Sequence, residues 1–243
     1  MLIKNMEYNI FKEELKNRLA WKGLSGQGKL SSFSIDKYIK ENGIFDCNFR
    51  SATGFFNASV VEARKYSAWC KSKHPTLTEE ELDDLIKFFI GTIGEIFVYY
   101  IPICRPTLYI KEKKNNFIFS DLRFNNVDYG VDLYGKVTVK KKTYNCVFQC
   151  KFWSPRSDRK ITSDILSKAH SDAIEHNYIK QKENDNIFIF WLGDESHVSQ
   201  WFKDNPASRH AVFIDKEVLD YNFSDTEIWK KLREELNNLG NLN

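Results

Sequence analysis

Three polar residues on two neighbouring predicted strands have the types and the spacing for phosphate chemistry. Residues 130–139 and 144–153 have the composition of β-strands, and the basic stretch 140–143 between them predicts a short hairpin loop. Asp132 lies on the first strand, and Gln149 and Lys151 lie on the second. An acid, a polar side chain and a lysine at one end of a sheet can hold a divalent metal beside a cation. This arrangement can hydrolyse a phosphodiester bond.

The alternation of side chains along the second strand determines which of its polar residues share a face. Gln149 and Lys151 share one face because successive side chains of a strand point to opposite faces, and Cys150 points into the core. Lys151 has apolar neighbours on both sides, where a lysine without a function is unusual. The structural alternatives are that Asp132 is an ordinary acid at a strand end and that Lys151 is an exposed strand lysine.

Asp128 is an alternative metal ligand, because it lies only four residues before Asp132. Asp132 is preferred because it lies inside the strand pattern and follows a hydrophobic residue. Asp128 lies close to Gly130, as a turn residue does. Alternatively, it is an acid that lies near the metal without binding it directly. Whether Asp128 joins the metal site stays open.

A third acid lies in an apolar helix. Thr78 and Glu81 form a capping-box pattern, the run behind them predicts a helix to residue 101, and Pro102 is expected to stop it. Glu95 is the acid within the most apolar part of this run. A carboxylate on a buried face is costly unless it is paired or binds a metal. The alternatives are a side chain that reaches solvent and one that pairs with an arginine.

The two strand motifs together resemble the PD-(D/E)xK nuclease superfamily, most closely its Mrr-like restriction endonuclease branch with a Q-x-K motif. The residues that carry the resemblance are the Gly-Val-Asp-Leu stretch at 130–133 and the Gln-Cys-Lys stretch at 149–151, which continues as Phe-Trp. The resemblance covers roughly residues 85–195. It implies a three-layer α/β/α core with a mixed central sheet. The first ~75 residues lie outside the resemblance, and their patterns predict an N-terminal helical region.

The resemblance also implies a catalytic site and a cofactor. Asp132, Glu95, the amide oxygen of Gln149 and the backbone carbonyl of Cys150 would bind Mg²⁺, with Mn²⁺ as a substitute, because hard cations prefer oxygen ligands. Lys151 would orient the attacking water or help to deprotonate it. An amide in place of a carboxylate lowers the charge of the site, so metal binding is expected to be weak before DNA supplies a phosphate.

Clusters of basic residues, rather than the net charge of the chain, are informative about a polyanionic partner. The net charge of the 243-residue chain is +3, which leaves the overall field almost neutral. Arg156, Arg159 and Lys160 follow the catalytic strand and are candidates for contact with double-stranded DNA. The other two clusters, at 111–114 and 140–142, are interpreted as solvated loops.

The remaining patterns complete an α/β chain. Helices are predicted at 8–21, 35–41, 58–73, 163–181 and 224–239, and strands at 186–192 and 210–215. The Gly/Ser-rich stretch 23–34 lacks the P-loop pattern and predicts a loop. Residues 1–75 are interpreted as a helical region that caps the core or recognises DNA or a partner, and residues 76–243 as the nuclease domain.

Cysteine usage and hydropathy indicate a cytoplasmic protein. The five cysteines are odd in number and lack a CxxC pair, which indicates reduced thiols and no zinc site. The most apolar stretch, 82–101, carries four charged residues and is interpreted as a core helix.

The function that the resemblance implies is a metal-dependent DNA endonuclease in restriction or anti-phage defence. The chain would act alone, as a homodimer if both strands are cut, or as the nuclease subunit beside a separate sensor or motor. Two alternatives stay open. The chain could be a catalytically inactive nuclease fold that serves as a DNA-binding or assembly subunit, or a metal-independent α/β domain that matches the motif by chance.

Overall fold

The structure is a computed structural model that describes residues 10, 12–17, 34–45, 49–125, 131–152, 158–179, 186–200, 211–223 and 227–239. The chain divides into two compact units. Unit 1 comprises Met1–Phe97 and Phe223–Asn243, and unit 2 comprises Val98–Asn222. The boundary predicted after residue 75 falls inside unit 1, and the division into a recognition region and a nuclease domain stays a prediction.

The secondary structure in the described part of unit 1 is helical. Its named helices are α1 (Ile35–Asn42), α2 (Ala52–Lys73), the greater part of α3 (Glu79–Cys104) and α6 (Glu227–Leu239). Aromatic rings form the core: the Phe97 ring stacks on Phe55 at 4.6 Å and on Trp229 at 5.4 Å. Stacked pairs of this kind add to the stabilisation that burial alone gives.

The start of α3 is as predicted, whereas its end is not. Glu81 accepts a hydrogen bond from the backbone N–H of Thr78 at 2.8 Å, and the Thr78 hydroxyl accepts one from the Glu81 N–H, so the capping box is confirmed. The prediction that Pro102 stops the helix was wrong, because α3 continues through it to Cys104. Pro102 lies in the last turn, where a proline removes one helical hydrogen bond and ends the helix two residues later.

Unit 2 is built on a six-stranded mixed sheet in the sequential order β1 to β6. The strands are β1 (Thr107–Ile110), β2 (Asn115–Phe124), β3 (Leu133–Val139), β4 (Lys142–Lys151), β5 (Asn186–Leu192) and β6 (Ala211–Ile214). Strands β1 to β4 pair antiparallel, and β4, β5 and β6 pair parallel. Helix α4 (Ser163–Glu175) connects β4 to the parallel β5, and α5 (Lys216–Asn222) follows β6.

Helices cover both faces of this sheet, so the predicted three-layer α/β/α architecture with a mixed central sheet is confirmed. One face packs Val147, Phe188 and Phe190 together with Ala173 of α4. On the other face, Phe124, Leu133 and Phe148 occupy paired positions on three neighbouring strands. The ring of Tyr99, in the last part of α3, lies 4.4 Å from the ring of Phe124. All seven residues of β5 are buried, as a central strand between two layers requires.

The predicted boundaries needed three corrections within unit 2. Strand β3 begins at Leu133 rather than 130. Strand β4 begins at Lys142, because the chain reverses in two residues, Lys140 and Lys141. Helix α4 ends at Glu175 rather than at 181, because Asn177 has a left-handed backbone with φ 60°.

Helix α3 is long and apolar enough to span a membrane, but 61% of its apolar window is buried inside the folded chain. This burial fits the interpretation of a core helix. The four cysteines that the structure describes, Cys70, Cys104, Cys146 and Cys150, form no disulfide.

Candidate active site

Asp132 and Gln149 meet where β3 begins and β4 ends. The antiparallel register pairs Leu133 with Phe148, and the N–H of Asp132 donates to the Phe148 carbonyl at 2.9 Å. Asp132 and Gln149 therefore lie side by side across the two strands. The Gln149 amide Nε2 donates to Asp132 Oδ2 at 2.9 Å, and the Cys150 backbone N–H donates to the same oxygen. The structure brings together the acid and the amide that the sequence placed 17 residues apart.

The hydrogen bond to Asp132 explains how β4 accommodates a buried amide. Gln149 is only 8% exposed and faces α4 beside Val147 and Phe190, in a narrow crevice. A carboxylate accepts hydrogen bonds and cannot donate them, so the NH₂ group of Gln149 faces Asp132 and the amide oxygen faces away. An amide left without a partner at this position would cost about 1–3 kcal/mol.

Lys151 ends β4 on the same face as Gln149. It is half-buried, pairs with Leu192 in the parallel register, and its carbonyl accepts from the Gly193 N–H at 3.3 Å. The end of β5 and the residue that follows it therefore fix the backbone of Lys151. Among the described residues, no carboxylate forms an ion pair with the Lys151 ammonium group. Its charge is thus available to a phosphate or a water molecule at this end of the sheet.

A network that sequence analysis missed holds the backbone of Asp132. Asn125 follows β2 and is 8% exposed; its N–H donates to the Asp132 carbonyl at 2.9 Å, and its side-chain Nδ2 donates to the Val131 carbonyl at 2.8 Å. The hydroxyl of Tyr178 donates to Asn125 Oδ1 at 2.6 Å, and the Tyr178 ring stacks on Tyr134 at 4.5 Å. Asn125 thus clamps the two residues that lead into β3, and Tyr178 orients the clamp.

The available sequence signal for this network was weak. An asparagine directly after a strand is a common turn residue, and Tyr178 lay inside the helix predicted to reach 181. It reaches Asn125 only because α4 ends at Glu175 and the chain turns at Asn177. The contact joins residues 53 positions apart, which no local pattern indicates.

The other predicted site residues have different outcomes. Glu95 is half-buried on α3 and belongs to unit 1, and its role as a metal ligand stays a prediction. Cys150 is half-buried, and its N–H contacts Asp132. Asp128 and Arg156 lie outside the described residues.

The described part of the basic segment after β4 is fixed at the end of the sheet that carries Lys151. The carbonyl of Arg159 accepts a hydrogen bond from His197 Nδ1 at 2.8 Å, and the Lys160 ammonium group contacts the Ser196 carbonyl. The Ile161 N–H donates to the His197 carbonyl at 2.7 Å. Arg159 and Lys160 are exposed, so both can face a ligand while their backbone is held.

The donor set suits a hard cation rather than zinc. Among the described residues, no group of three or more His, Cys, Asp and Glu side chains is arranged to hold a metal. The oxygens of Asp132, Gln149 and Cys150 are one carboxylate, one amide and one backbone carbonyl, all of which Mg²⁺ accepts while it keeps several waters. One carboxylate gives such a site little charge.

Comparisons with known proteins identify no family. No family model matches the chain, and no curated protein matches it. A solved structure of the MspJI restriction endonuclease in complex with a 27-mer oligonucleotide matches at 14% identity and a TM-score of 0.35. The match covers 70% of this chain and 36% of that one.

Proposed function

We propose that the chain is a metal-dependent DNA endonuclease that hydrolyses phosphodiester bonds in restriction or anti-phage defence. The observation that carries the proposal is the pairing of Asp132 with Gln149 across β3 and β4, with Lys151 two residues further on the same face of β4. A carboxylate, an amide oxygen and a lysine at one edge of a sheet match the chemistry that the Q-x-K resemblance implies.

Each residue of the candidate site has a proposed role. Asp132 and the carbonyl of Cys150 would hold Mg²⁺ or Mn²⁺, and the amide oxygen of Gln149 would join them once the amide turns over and its hydrogen bond to Asp132 breaks. Glu95 is a further ligand that the Q-x-K resemblance alone suggests. The hydrogen bonds on Asp132 Oδ2 hold the carboxylate in one orientation. When bound, the metal stabilises negative charge on the phosphate that is attacked.

Lys151 acts on the water and on charge that develops during the reaction. Its ammonium group orients the attacking water and stabilises the negative oxygen of the pentacovalent phosphorus. Removal of such a cation from an active site typically lowers kcat by about 10²–10³-fold. We propose that Arg159 and Lys160 contact phosphates of double-stranded DNA beside the cut, because both are exposed on a segment held at this end of the sheet.

The experiment that tests this function is cleavage of supercoiled plasmid and linear duplex DNA by the purified chain with Mg²⁺, Mn²⁺ or EDTA. Asp132→Asn and Lys151→Gln are expected to abolish cutting with unchanged circular dichroism. The matched controls are Asp121→Asn and Lys136→Gln, which remove an exposed ion pair of 3.4 Å on β2 and β3. Both controls are expected to cut as the unmodified chain does, because an exposed pair contributes little.

Cutting that persists in Asp132→Asn would refute the site assignment. Metal-dependent cutting with discrete fragments would indicate a restriction enzyme that acts alone. If neither the unmodified chain nor any variant cuts, but all of them bind DNA equally, the chain is instead an inactive nuclease fold used for DNA binding or assembly.

A further inference from the structure

Two hairpin turns and the first residue of β4 place six lysines at the end of the sheet opposite the candidate active site. The β1–β2 turn spans 111–114 and the β3–β4 turn contains residues 140–141. Ile118 pairs with Thr138, so the two turns lie at the same height along the strands. With about 4.8 Å between neighbouring strands, the turns are about 10 Å apart. We name this group the lysine edge; its members are Lys111, Lys113, Lys114, Lys140, Lys141 and Lys142.

The lysine edge holds a large share of the positive charge of the chain. Six lysines against the single Glu112 give the two turns a charge of +5, which exceeds the net +3 of the chain, so the remainder is net negative. All of these lysines are exposed except Lys113, which is half-buried. Among the described residues, no carboxylate forms an ion pair with Lys111, Lys113, Lys114, Lys140 or Lys141. The charge of these five lysines is therefore concentrated at one end of the sheet, without an ion pair inside the described part of the chain.

The backbone of these turns disfavours lysine. Lys140 and Lys141 have φ of 49° and 67°, and Lys114 has φ of 49°. A two-residue hairpin loop with positive φ at both positions strongly prefers Asn-Gly, because Cβ lies too close to a backbone carbonyl oxygen in the left-handed conformation, which glycine avoids and asparagine tolerates. Turns that only joined strands would not need lysine at three such positions. Residues held in sparsely populated backbone conformations are enriched at ligand-binding sites.

We propose that the lysine edge binds the sugar–phosphate backbone of duplex DNA as a second contact, separate from the active site. The identity of the polyanion rests on the proposed function. The spacing of about 10 Å between the turns is close to the about 12 Å width of the major groove, so the turns can reach phosphates on both sides of one groove. Phosphate contacts of this kind position DNA without reading its sequence.

The second contact acts on binding and not on the reaction. Lys142, a member of the lysine edge, is the first of the ten residues of β4, and Lys151 is the last. The distance between them along an extended strand is about 30 Å. The lysines therefore cannot touch the bond that is cut. Their removal is expected to weaken DNA binding and to leave the rate at saturating DNA unchanged.

The test is binding of a fluorescein-labelled 30-base-pair duplex, measured by anisotropy in EDTA between 50 and 300 mM NaCl. The informative variant is Lys140→Asn with Lys141→Gly, because it removes two charges and installs the residues that this turn prefers. We expect a melting temperature equal to or above that of the unmodified chain. Its affinity at 100 mM NaCl should be about tenfold lower and its salt slope smaller by about 2.

The matched control is Lys230→Gln with Lys231→Gln, which removes two adjacent exposed lysines from α6 in unit 1. This variant should keep the affinity and the salt slope of the unmodified chain. An unchanged slope in Lys140→Asn/Lys141→Gly overturns the inference, as does equal loss in both double variants.

Failure of the second contact can be told apart from failure of the proposed function. Cleavage with no effect of the turn variant on binding refutes the lysine edge alone. Loss of binding in the turn variant without any cleavage by the unmodified chain refutes the endonuclease alone.

Discussion

Replacement of Gln149 by glutamate tests the candidate site through stability, without the need for cleavage. The change puts a second carboxylate about where Nε2 lies, 2.9 Å from Asp132 Oδ2. Two like charges at that distance repel by about 6 kcal/mol at an effective dielectric constant of 20. Protonation of one carboxyl group avoids this repulsion and costs less. At pH 7 it costs about 4 kcal/mol for a group with an ordinary pKa near 4.3.

The expected loss of unfolding free energy in Gln149→Glu is therefore about 3–4 kcal/mol at pH 7, in EDTA. The pKa of the new carboxyl group is raised in the folded state, so the folded state binds more protons than the unfolded state. Stability must then fall as pH rises, by about 1.4 kcal/mol per pH unit. The loss should almost vanish near pH 4.5, where a protonated carboxyl group donates to Asp132 as the amide does.

Bound Mg²⁺ should reverse the loss, because a divalent cation between two carboxylates replaces repulsion with attraction. A cation at 100 times its dissociation constant stabilises by about 2.7 kcal/mol. The assay is urea unfolding followed by circular dichroism at pH 4.5, 6 and 7.5, with EDTA or 10 mM (roughly saturating) Mg²⁺.

Gln149→Met is the control for the glutamate variant, because it keeps the volume and adds no charge. It removes one hydrogen bond to a carboxylate, worth about 1.5–3 kcal/mol, and its loss should depend little on pH or Mg²⁺. A pH-independent loss in Gln149→Glu, or one that Mg²⁺ leaves unchanged, would show that the two side chains do not share a metal site.

Three further predictions concern packing, pH and the positioning network. Gly135→Ala should destabilise by about 1–3 kcal/mol, because a Cβ would lie 2.7 Å from a side-chain carbon of β2; Gly91→Ala, with no atom within 4 Å, should not destabilise, and urea unfolding compares them. Burial raises the pKa of Asp194, but hydrogen bonds, chiefly from Lys216, lower it to about 2. The lowered pKa stabilises the folded state above about pH 4, and this stabilisation is lost as the pH falls towards 2. Acid unfolding of Lys216→Met should therefore lack the loss of stability between about pH 4 and pH 2. Tyr178→Phe should cost about 1 kcal/mol and lower kcat up to about tenfold with KM unchanged, and an unchanged kcat would show that the network only supports the fold.

The elements that the sequence predicted well carry their signals locally. The capping box at Thr78 lies within four residues, and β5 is an uninterrupted apolar run. By contrast, β1 and β2 were missed. Strand β1 has four residues, and β2 has a register shift between Ser120 and Arg123 that breaks the alternation. Alternation with a period of two cannot be recognised across a bulge, because the one extra residue moves all following side chains to the opposite face of the sheet.

The candidate site was predictable to the extent that it follows strand periodicity. Alternation placed Gln149 and Lys151 on one face, and the hairpin brought Asp132 beside them. The hydrogen bond between acid and amide, and the clamp by Asn125, depend on register and on the end of α4. Those features are set by tertiary packing, which overrides local propensity at helix ends.

The amide at position 149 also determines how metal binding should depend on DNA. With Gln149, two neutral donors already satisfy Asp132 Oδ2, so the metal-free site holds little repulsion for a cation to relieve. A site with an amide in place of a carboxylate attracts Mg²⁺ more weakly, and the phosphate of bound DNA supplies the missing negative charge. Metal and DNA should therefore bind cooperatively, each raising the affinity for the other by the same factor. Gln149→Glu should reduce this coupling, because its second carboxylate binds the metal before DNA arrives.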